Sequence, residues 1–127
     1  MKLRTTHNSI RIRIRKSELE QLAQEKKVEE SIRFLDGIVF RFALIVDDSA
    51  SSINANMNDN FLTLSLPTDE AKTWIQTNQV GIEKHIDLSN NETLHLLIEK
   101  DFPCLDREDE NKADTFWELA PEAPESC

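Results

Sequence analysis

Two histidines in the second half of the chain have the spacing that best suits chemistry. His85 and His95 lie in two apolar-alternating segments separated by Ser89-Asn90-Asn91. A three-residue turn there would place the imidazoles opposite each other across a hairpin, with Glu83 and Asp87 on the same face. Two imidazoles and a carboxylate suit Zn²⁺, Ni²⁺ or Cu²⁺. A solvated strand face needs only polar residues at these positions, so we expect no bound metal and no other cofactor.

A set of arginines at outward strand positions is the second chemical feature: Arg11, Arg13, Arg15, Arg33 and Arg41. If Phe34 pairs with Phe40 in a hairpin, the last two arginines lie opposite each other. Cations in such a row could bind phosphates with an affinity that depends on salt and not on sequence. Alternatively, the arginines are solvated and pair with carboxylates of the chain itself.

Catalytic motifs are missing from the sequence. It contains no Gly-x-Ser-x-Gly elbow, and its two glycines, Gly37 and Gly81, cannot form a phosphate-binding loop. Cys104 and Cys127 form no Cys-x-x-Cys pair, and nothing beside Cys104 favours a reactive thiolate. We therefore expect no enzymatic activity, no disulfide framework and no zinc-binding cysteine pair.

Composition predicts one domain. The chain has 127 residues, of which 39% are hydrophobic and 31% charged, and a chain of this length can bury a core without metal or disulfide. No apolar run approaches the roughly 18 residues of a membrane span, and the amino terminus carries no apolar signal segment. We therefore expect a cytoplasmic protein that does not bind membranes.

The net charge of −9 is unevenly distributed along the chain. Residues 1–46 carry 10 Lys and Arg against 6 Asp and Glu, residues 47–103 carry 3 against 10, and residues 104–127 carry 2 against 8. A basic surface on one part of the fold and acidic surfaces elsewhere would explain this pattern. The total charge argues against a general nucleic-acid binder, but the distribution allows DNA to bind the basic half.

The last segment, residues 104–127, is predicted to be an acidic, flexible tail because it is polar from Asp106 onward and contains prolines near its end. It is interrupted by Phe116, Trp117 and Leu119, which could dock on a partner protein. Two other interpretations remain open: Trp117 folds back on its own domain, or the acidic tail screens the basic strands.

The sequence predicts strands and two short helices as its secondary-structure elements. The pattern predicts a strand over 9–15, a helix opened by a capping box of Ser17 and Glu20, and strands over 28–34 and 39–46 around Asp36-Gly37. A second series repeats this order from about Ile53 onward.

A shift of 52 positions superimposes the two series, with Ile12 on Leu64 and Leu22 on Trp74. The same shift places Val28 on Val80 and Phe34 on Ile86, and after the hairpin turn it becomes 54. We interpret this as a duplicated ββαββ unit. The predicted fold is α+β and β-rich, with two short helices. Residues 1–103 form one domain, whose halves (1–50 and 51–103) close into a small barrel or a two-sheet sandwich.

The segment from Asn8 to Leu22 resembles the strand–helix part of AbrB/MazE-type swapped-hairpin proteins, which are bacterial transcription regulators and antitoxins. Arg15 stands where that family has Pro, and Lys27 where it has Gly. In that family two copies of a half-barrel pair as a dimer, so the resemblance implies that this chain contains both halves.

Over its full length the chain resembles an uncharacterised family of small bacterial proteins. The resembling segments are residues 8–11, 80–83, 98–102 and 104–107. No activity can be transferred from that family. The sequence therefore predicts a non-catalytic binding or interaction module of unassigned role, and the second hypothesis is an AbrB-like DNA-binding regulator or antitoxin.

Overall fold

A computed structural model describes residues 1–102 together with Phe116 and Leu119. Cys104, Trp117 and Cys127 lie outside the described residues. The elements in chain order are β1 (Lys2–Thr6), β2 (Ser9–Ile14), α1 (Lys16–Glu25), β3 (Lys27–Arg33), β4 (Val39–Asp47), β5 (Asn54–Asn58), β6 (Phe61–Pro67), α2 (Thr68–Gln76), β7 (Gly81–Asp87) and β8 (Thr93–Lys100). Neither α1 nor α2, with 10 and 9 residues, is long and apolar enough to cross a membrane.

The strands form two four-stranded sheets. Sheet A has the order β1-β2-β8-β7 and sheet B the order β3-β4-β6-β5. The central strands of each sheet pair in parallel, and the outer strands pair antiparallel. The α+β, strand-rich class is therefore confirmed, whereas the predicted barrel is wrong. Each outer strand pairs on one side only, so within the described residues hydrogen bonding does not continue from one sheet to the other.

Each sheet takes one hairpin from each half of the chain. The order strand–strand–helix–strand–strand occurs twice. Pairings correspond as well: Lys2 pairs with Arg13 in β1–β2, and Asn54, 52 positions later, pairs with Ser65 in β5–β6. We call residues of the two halves counterparts when they are 52 positions apart, for β1, β2 and α1, or 54 positions apart, for β3, β4 and the turn between them.

The predicted shift of 52 is wrong for β3. Val28 pairs with Leu44, and the equivalent pair in β7–β8 is Ile82 with Ile98, so the shift is already 54 at β3. The two additional residues lie between α2 and β7, where Val80 belongs to the connection and not to the strand.

The predicted register of the β3–β4 hairpin is also wrong. Phe40 pairs with Ile32 and not with Phe34, and Arg41 pairs with Ser31 and not with Arg33. The cause is the turn, which contains a 3₁₀ segment over Leu35–Gly37 with positive φ at both Asp36 and Gly37. This turn takes up five residues between the paired ends of the strands, so Phe34 lies outside β3.

A single apolar core lies on the inner faces of both sheets and under both helices. Its fully buried members alternate along the strands, as the period-two pattern predicts: Ile12, Ile14, Leu44, Leu64, Leu66, Leu96 and Ile98. The helices add Leu22 and Trp74, which are also fully buried. The Trp74 indole N–H donates to the carbonyl of Val80 at 3.0 Å, which satisfies the one polar atom of this side chain.

Helix α1 begins two residues after the end of β2 and uses a different cap from the one predicted. Its N-cap is Arg15 and not Ser17, because Arg15 keeps an extended backbone while Lys16 is already helical. The Glu18 carboxylate, and not that of Glu20, accepts a hydrogen bond of 2.8 Å from the Arg15 backbone N–H. Glu18 is buried and also forms an ion pair with the amino group of Met1.

Glu18→Gln is expected to lower the free energy of unfolding by about 1.5 kcal/mol at pH 7, because it removes a charge that accepts hydrogen bonds from charged donors. Burial raises the pKa of Glu18, but the bonds from Met1 and Arg15 outweigh burial and hold the pKa below its ordinary value of 4.5. Urea unfolding of both proteins at pH 7 and at lower pH checks this.

The sign of the pH dependence follows from the depressed pKa of Glu18. Its stabilisation is complete above the unfolded value of about 4.5 and is lost as the pH falls through the lower folded pKa. The difference between wild type and Glu18→Gln should therefore shrink below pH 4.5. Glu20→Gln, an exposed change on the same helix, is the control and should show little effect at either pH.

Candidate functional site

Arg11 and Arg13 lie on the outer face of sheet A but are not available as a free basic row. The Arg11 guanidinium lies 3.1 Å from Glu99, and Arg13 lies 3.9 Å from Asp101. Arg13 is also largely buried and stacks over the ring of Phe102 at 4.8 Å. The acidic partners come from the end of β8 and the residue after it, so carboxylates of the second half of the chain neutralise these two arginines of the first half.

The other three predicted arginines lie elsewhere. Arg15 is at the start of α1, with its Nε 3.4 Å from the Glu18 carboxylate. Arg33 and Arg41 are exposed on sheet B, and the Arg41 guanidinium stacks over Phe61 at 4.2 Å. The structure therefore divides the five arginines between two sheets and a helix end, instead of assembling them into one face.

The two histidines do lie together, as the turn length predicts. His85 pairs with His95 across β7–β8, and their rings stack with centroids 4.4 Å apart and planes 4° apart. Glu83 lies on the same face, 3.0 Å from Nε2 of His95 and 3.8 Å from Nε2 of His85. On the other side, Nδ1 of His95 is 3.4 Å from the hydroxyl of Ser9 on β2. Asp87 was also expected on this face, but it does not belong to the set of side chains whose ligand atoms all lie within 4.8 Å of one another, which is Glu83, His85 and His95.

A further surface, which sequence reasoning missed, lies at the turn end of sheet B. The exposed large apolar side chains there are Ile32, Phe34, Leu35, Ile38 and Met57, and we call them the apolar tip. Four of them come from the end of β3 and the β3–β4 turn, and Met57 comes from the same end of β5, the opposite edge strand of the sheet. Leu35 has 87% of its surface exposed. Apolar residues inside a turn sequence, from Phe34 to Ile38, were the signal that could have indicated this surface.

The equivalent turn end of sheet A is more polar. Leu88, the counterpart of Phe34, is still apolar and exposed. Three other residues of the apolar tip have polar counterparts on sheet A. Ser89 corresponds to Leu35, Glu92 to Ile38 and Thr5 to Met57. The same backbone arrangement therefore forms with polar side chains at these positions, so the apolar character of the tip is not a requirement of the turn.

Comparison with known proteins gives one match. A family model described as a family of unknown function, DUF7009, matches residues 1–119. The chain belongs to this family. The full-length resemblance to an uncharacterised family is thereby confirmed, whereas no curated protein and no solved structure matches the chain.

A cavity of about 250 Å³ in this DUF7009 protein lies between α1 and α2. Its lining is mostly apolar, with Leu22, Ala71 and Ile75, and its polar members include Lys26 and Lys72. Among the described residues, the lining contains no histidine, cysteine or carboxylate.

Two residues of the predicted docking segment are described in the DUF7009 protein. Phe116 and Leu119 each have 77% of their surface exposed, and the backbone N–H of Leu119 donates to the carbonyl of Phe116 at 2.9 Å. Trp117, the third residue of that segment, lies outside the described residues. Both described side chains are thus accessible to a partner.

Proposed function

We propose that this DUF7009 protein is a non-catalytic interaction module that binds a partner protein through the apolar tip. The observation that carries the proposal is the contrast between the two turn ends, which share one backbone arrangement and differ in polarity at Leu35, Ile38 and Met57. Exposed apolar clusters cost solubility and are typical of surfaces that a partner covers. The exposed Phe116 and Leu119 support a second contact of the same kind.

The surroundings of the tip indicate the chemistry of the partner. Arg33 ends β3 immediately before Phe34, and Arg41 is exposed on the same outer face of sheet B. Asp36 in the turn is a carboxylate at this end. Apolar anchors beside arginines suit a segment with large apolar side chains that are flanked by carboxylates. We therefore commit to an acidic, apolar segment of another protein as the occupant.

The AbrB-like regulator is the weaker hypothesis. A nucleic-acid interface needs cations that face phosphates, whereas Arg11 and Arg13 are turned toward Glu99 and Asp101. What supports a relation to swapped-hairpin proteins is the exchange of hairpins between the two sheets. The repeated element order and corresponding pair registers likewise support the proposal that the chain arose by duplication of a ββαββ unit.

The experiment uses a defined probe, a fluorescent synthetic peptide in which Phe, Trp and Leu are flanked by Glu residues and whose sequence does not occur in this chain. Full-length protein is titrated into the peptide and the affinity is read from fluorescence anisotropy at low and moderate salt. We expect binding that weakens with salt, because arginines flank the tip. Leu35→Ser combined with Ile38→Glu should weaken it at least about tenfold, which corresponds to about 1.4 kcal/mol.

The matched control is Leu88→Ser, which removes an exposed leucine from the other turn end and should leave the affinity unchanged. The double variant places the side chains of Ser89 and Glu92 at their counterpart positions, so it should fold, and circular dichroism checks this. Absence of peptide binding, equal affinity of the double variant, or a tip-dependent dimer in sedimentation would overturn the proposal. Salt-sensitive retention of random duplex DNA, lost in Arg33→Gln with Arg41→Gln, would favour the regulator instead.

A further inference from the structure

We propose that Glu83, His85 and His95 bind a divalent first-row transition-metal ion, with Zn²⁺, Ni²⁺ and Cu²⁺ as the fitting class. This site lies on the outer face of sheet A, away from the apolar tip of sheet B, and does not depend on the proposed function. The three side chains come from two adjacent strands and offer one ligand atom each within 4.8 Å of one another. Imidazole nitrogens with one carboxylate oxygen form a ligand set that these metals prefer.

The sheet itself positions the ligands. Directly paired residues of antiparallel strands have side chains on the same face, so the β7–β8 register fixes His85 beside His95. Glu83 is two residues before His85 and therefore on the same face. Its two carboxylate oxygens already face one imidazole each, at 3.0 and 3.8 Å. A metal ion would lie between the carboxylate oxygens and the two imidazole Nε2 atoms.

Coordination requires the two imidazole rings to rotate out of their parallel stack, because in-plane nitrogen lone pairs of parallel rings do not point at one ion. Ligand atoms around a tetrahedral ion with bonds of about 2.1 Å lie about 3.4 Å from each other. The side chain of His85 is 62% exposed and free to rotate toward the ion, whereas that of His95 is 30% exposed and more restrained. Because His95 is restrained and His85 is exposed, rotation of side chains alone would bring the ligand atoms to the ion.

Ser9 provides an outer contact for the more restrained ligand. Its hydroxyl lies 3.4 Å from Nδ1 of His95, on the neighbouring parallel strand β2. If that nitrogen carries the proton and donates to the hydroxyl, Nε2 is left as the acceptor that a metal requires. Such outer contacts orient metal-binding imidazoles and typically change affinity about 10- to 100-fold. Ser9 is therefore assigned as a positioning residue.

The counterpart location on sheet B shows that the fold does not need two histidines here. Ser31 and Arg41 occupy the paired positions, Glu29 corresponds to Glu83, and Phe61 corresponds to Ser9. Arg41 stacks on Phe61 at that location, which gives a stable arrangement with no metal-ligand set. The histidine pair is thus an additional property of sheet A.

Titration calorimetry of the full chain with ZnCl₂ and with NiCl₂ at pH 7.5 tests the proposal. We expect one site, with an affinity that His85→Gln or His95→Gln lowers at least about tenfold, and that Ser9→Ala lowers by about tenfold. The other charged groups on this outer face are Lys2, Arg4, Arg11, Arg13, Asp87 and Glu99, with Asp101 directly after β8. Among them, Arg11 forms an ion pair with Glu99, and Lys2 forms one with Asp101.

Two controls separate this site from other ligands of the chain. His7→Gln removes the third histidine, which lies in the β1–β2 turn, and should leave the affinity unchanged. Cys104→Ser with Cys127→Ser removes the thiols and should also leave it unchanged. The proposal is wrong if neither histidine variant weakens binding, if the cysteine variant abolishes it, or if wild type binds neither ion. Circular dichroism of each variant ensures that a loss of affinity does not reflect unfolding.

Discussion

Trp74→Ala is expected to lower the free energy of unfolding by about 4 kcal/mol, which is the largest effect we predict for one substitution. Trp74 is fully buried in the single core under α2, and its removal leaves a cavity that the surrounding strands cannot fill. The change also removes the hydrogen bond of 3.0 Å from the indole to the carbonyl of Val80. That carbonyl lies immediately before β7, so the loss also loosens the connection from α2 into sheet A.

Urea unfolding followed by far-ultraviolet circular dichroism measures the effect, since Trp117 complicates a fluorescence signal. Leu22→Ala is the matched control, because Leu22 is the fully buried counterpart of Trp74 on α1 and makes no side-chain hydrogen bond; it should cost about 3 kcal/mol. Trp74→Phe should cost less than Trp74→Ala because it keeps most of the apolar volume. A loss below about 1 kcal/mol for Trp74→Ala would contradict the burial of this side chain.

Gly81→Ala is expected to cost about 2 to 3 kcal/mol, because there is no space for a methyl group at the start of β7. A Cβ atom at this position would lie 2.7 Å from the backbone carbonyl oxygen of Ile98 and 3.2 Å from the side chain of Glu99. Backbone on a central strand cannot move aside as a flexible side chain can. The edge strand β7 must therefore shift away from β8, its one pairing partner in sheet A.

Gly37→Ala separates the steric clash at Gly81 from the general effect of replacing a glycine by alanine. Gly37 has a φ of 73° but open space around its Cβ position, so alanine there should cost only about 1 kcal/mol of backbone strain. Thermal unfolding of both variants gives the comparison. A smaller loss for Gly81→Ala than for Gly37→Ala would show that β7 accommodates the methyl group. Because β7 carries His85 and Glu83, we also expect Gly81→Ala to weaken the binding of Zn²⁺.

The parts of the fold that local patterns determine could be predicted from the sequence. Alternating isoleucines in β2 and leucines in β6 predict strands with one buried face, and Ile12, Ile14, Leu64 and Leu66 are indeed buried. The opposition of His85 and His95 also followed from the sequence, because turn length sets the register of a hairpin.

What depends on distant contacts could not be predicted. The parallel pairings of β2 with β8 and of β4 with β6 join strands that no turn connects, so no local signal indicates which hairpins share a sheet. The register of β3–β4 was missed because the turn is centred on Asp36, one position earlier than the predicted pairing of Phe34 with Phe40 requires; asparagine or glycine would have been the clearer signal for the positive φ there. Pairing of Arg13 with Asp101 depends on the same distant contacts, and so does the division of the arginines between sheets.

The exchange of hairpins between the sheets sets the order of events during synthesis. Ser9 is an early residue, yet its partner in the parallel ladder is His95, 86 positions later. At roughly 5 to 20 residues per second, the ribosome needs about 4 to 17 seconds to add those residues. During that interval the β1–β2 hairpin has no neighbour in its sheet, and an isolated hairpin is marginally stable in water. We therefore expect sheet A to form only after β8 has left the ribosome, with the long-range pairing of β2 and β8 as the slow step.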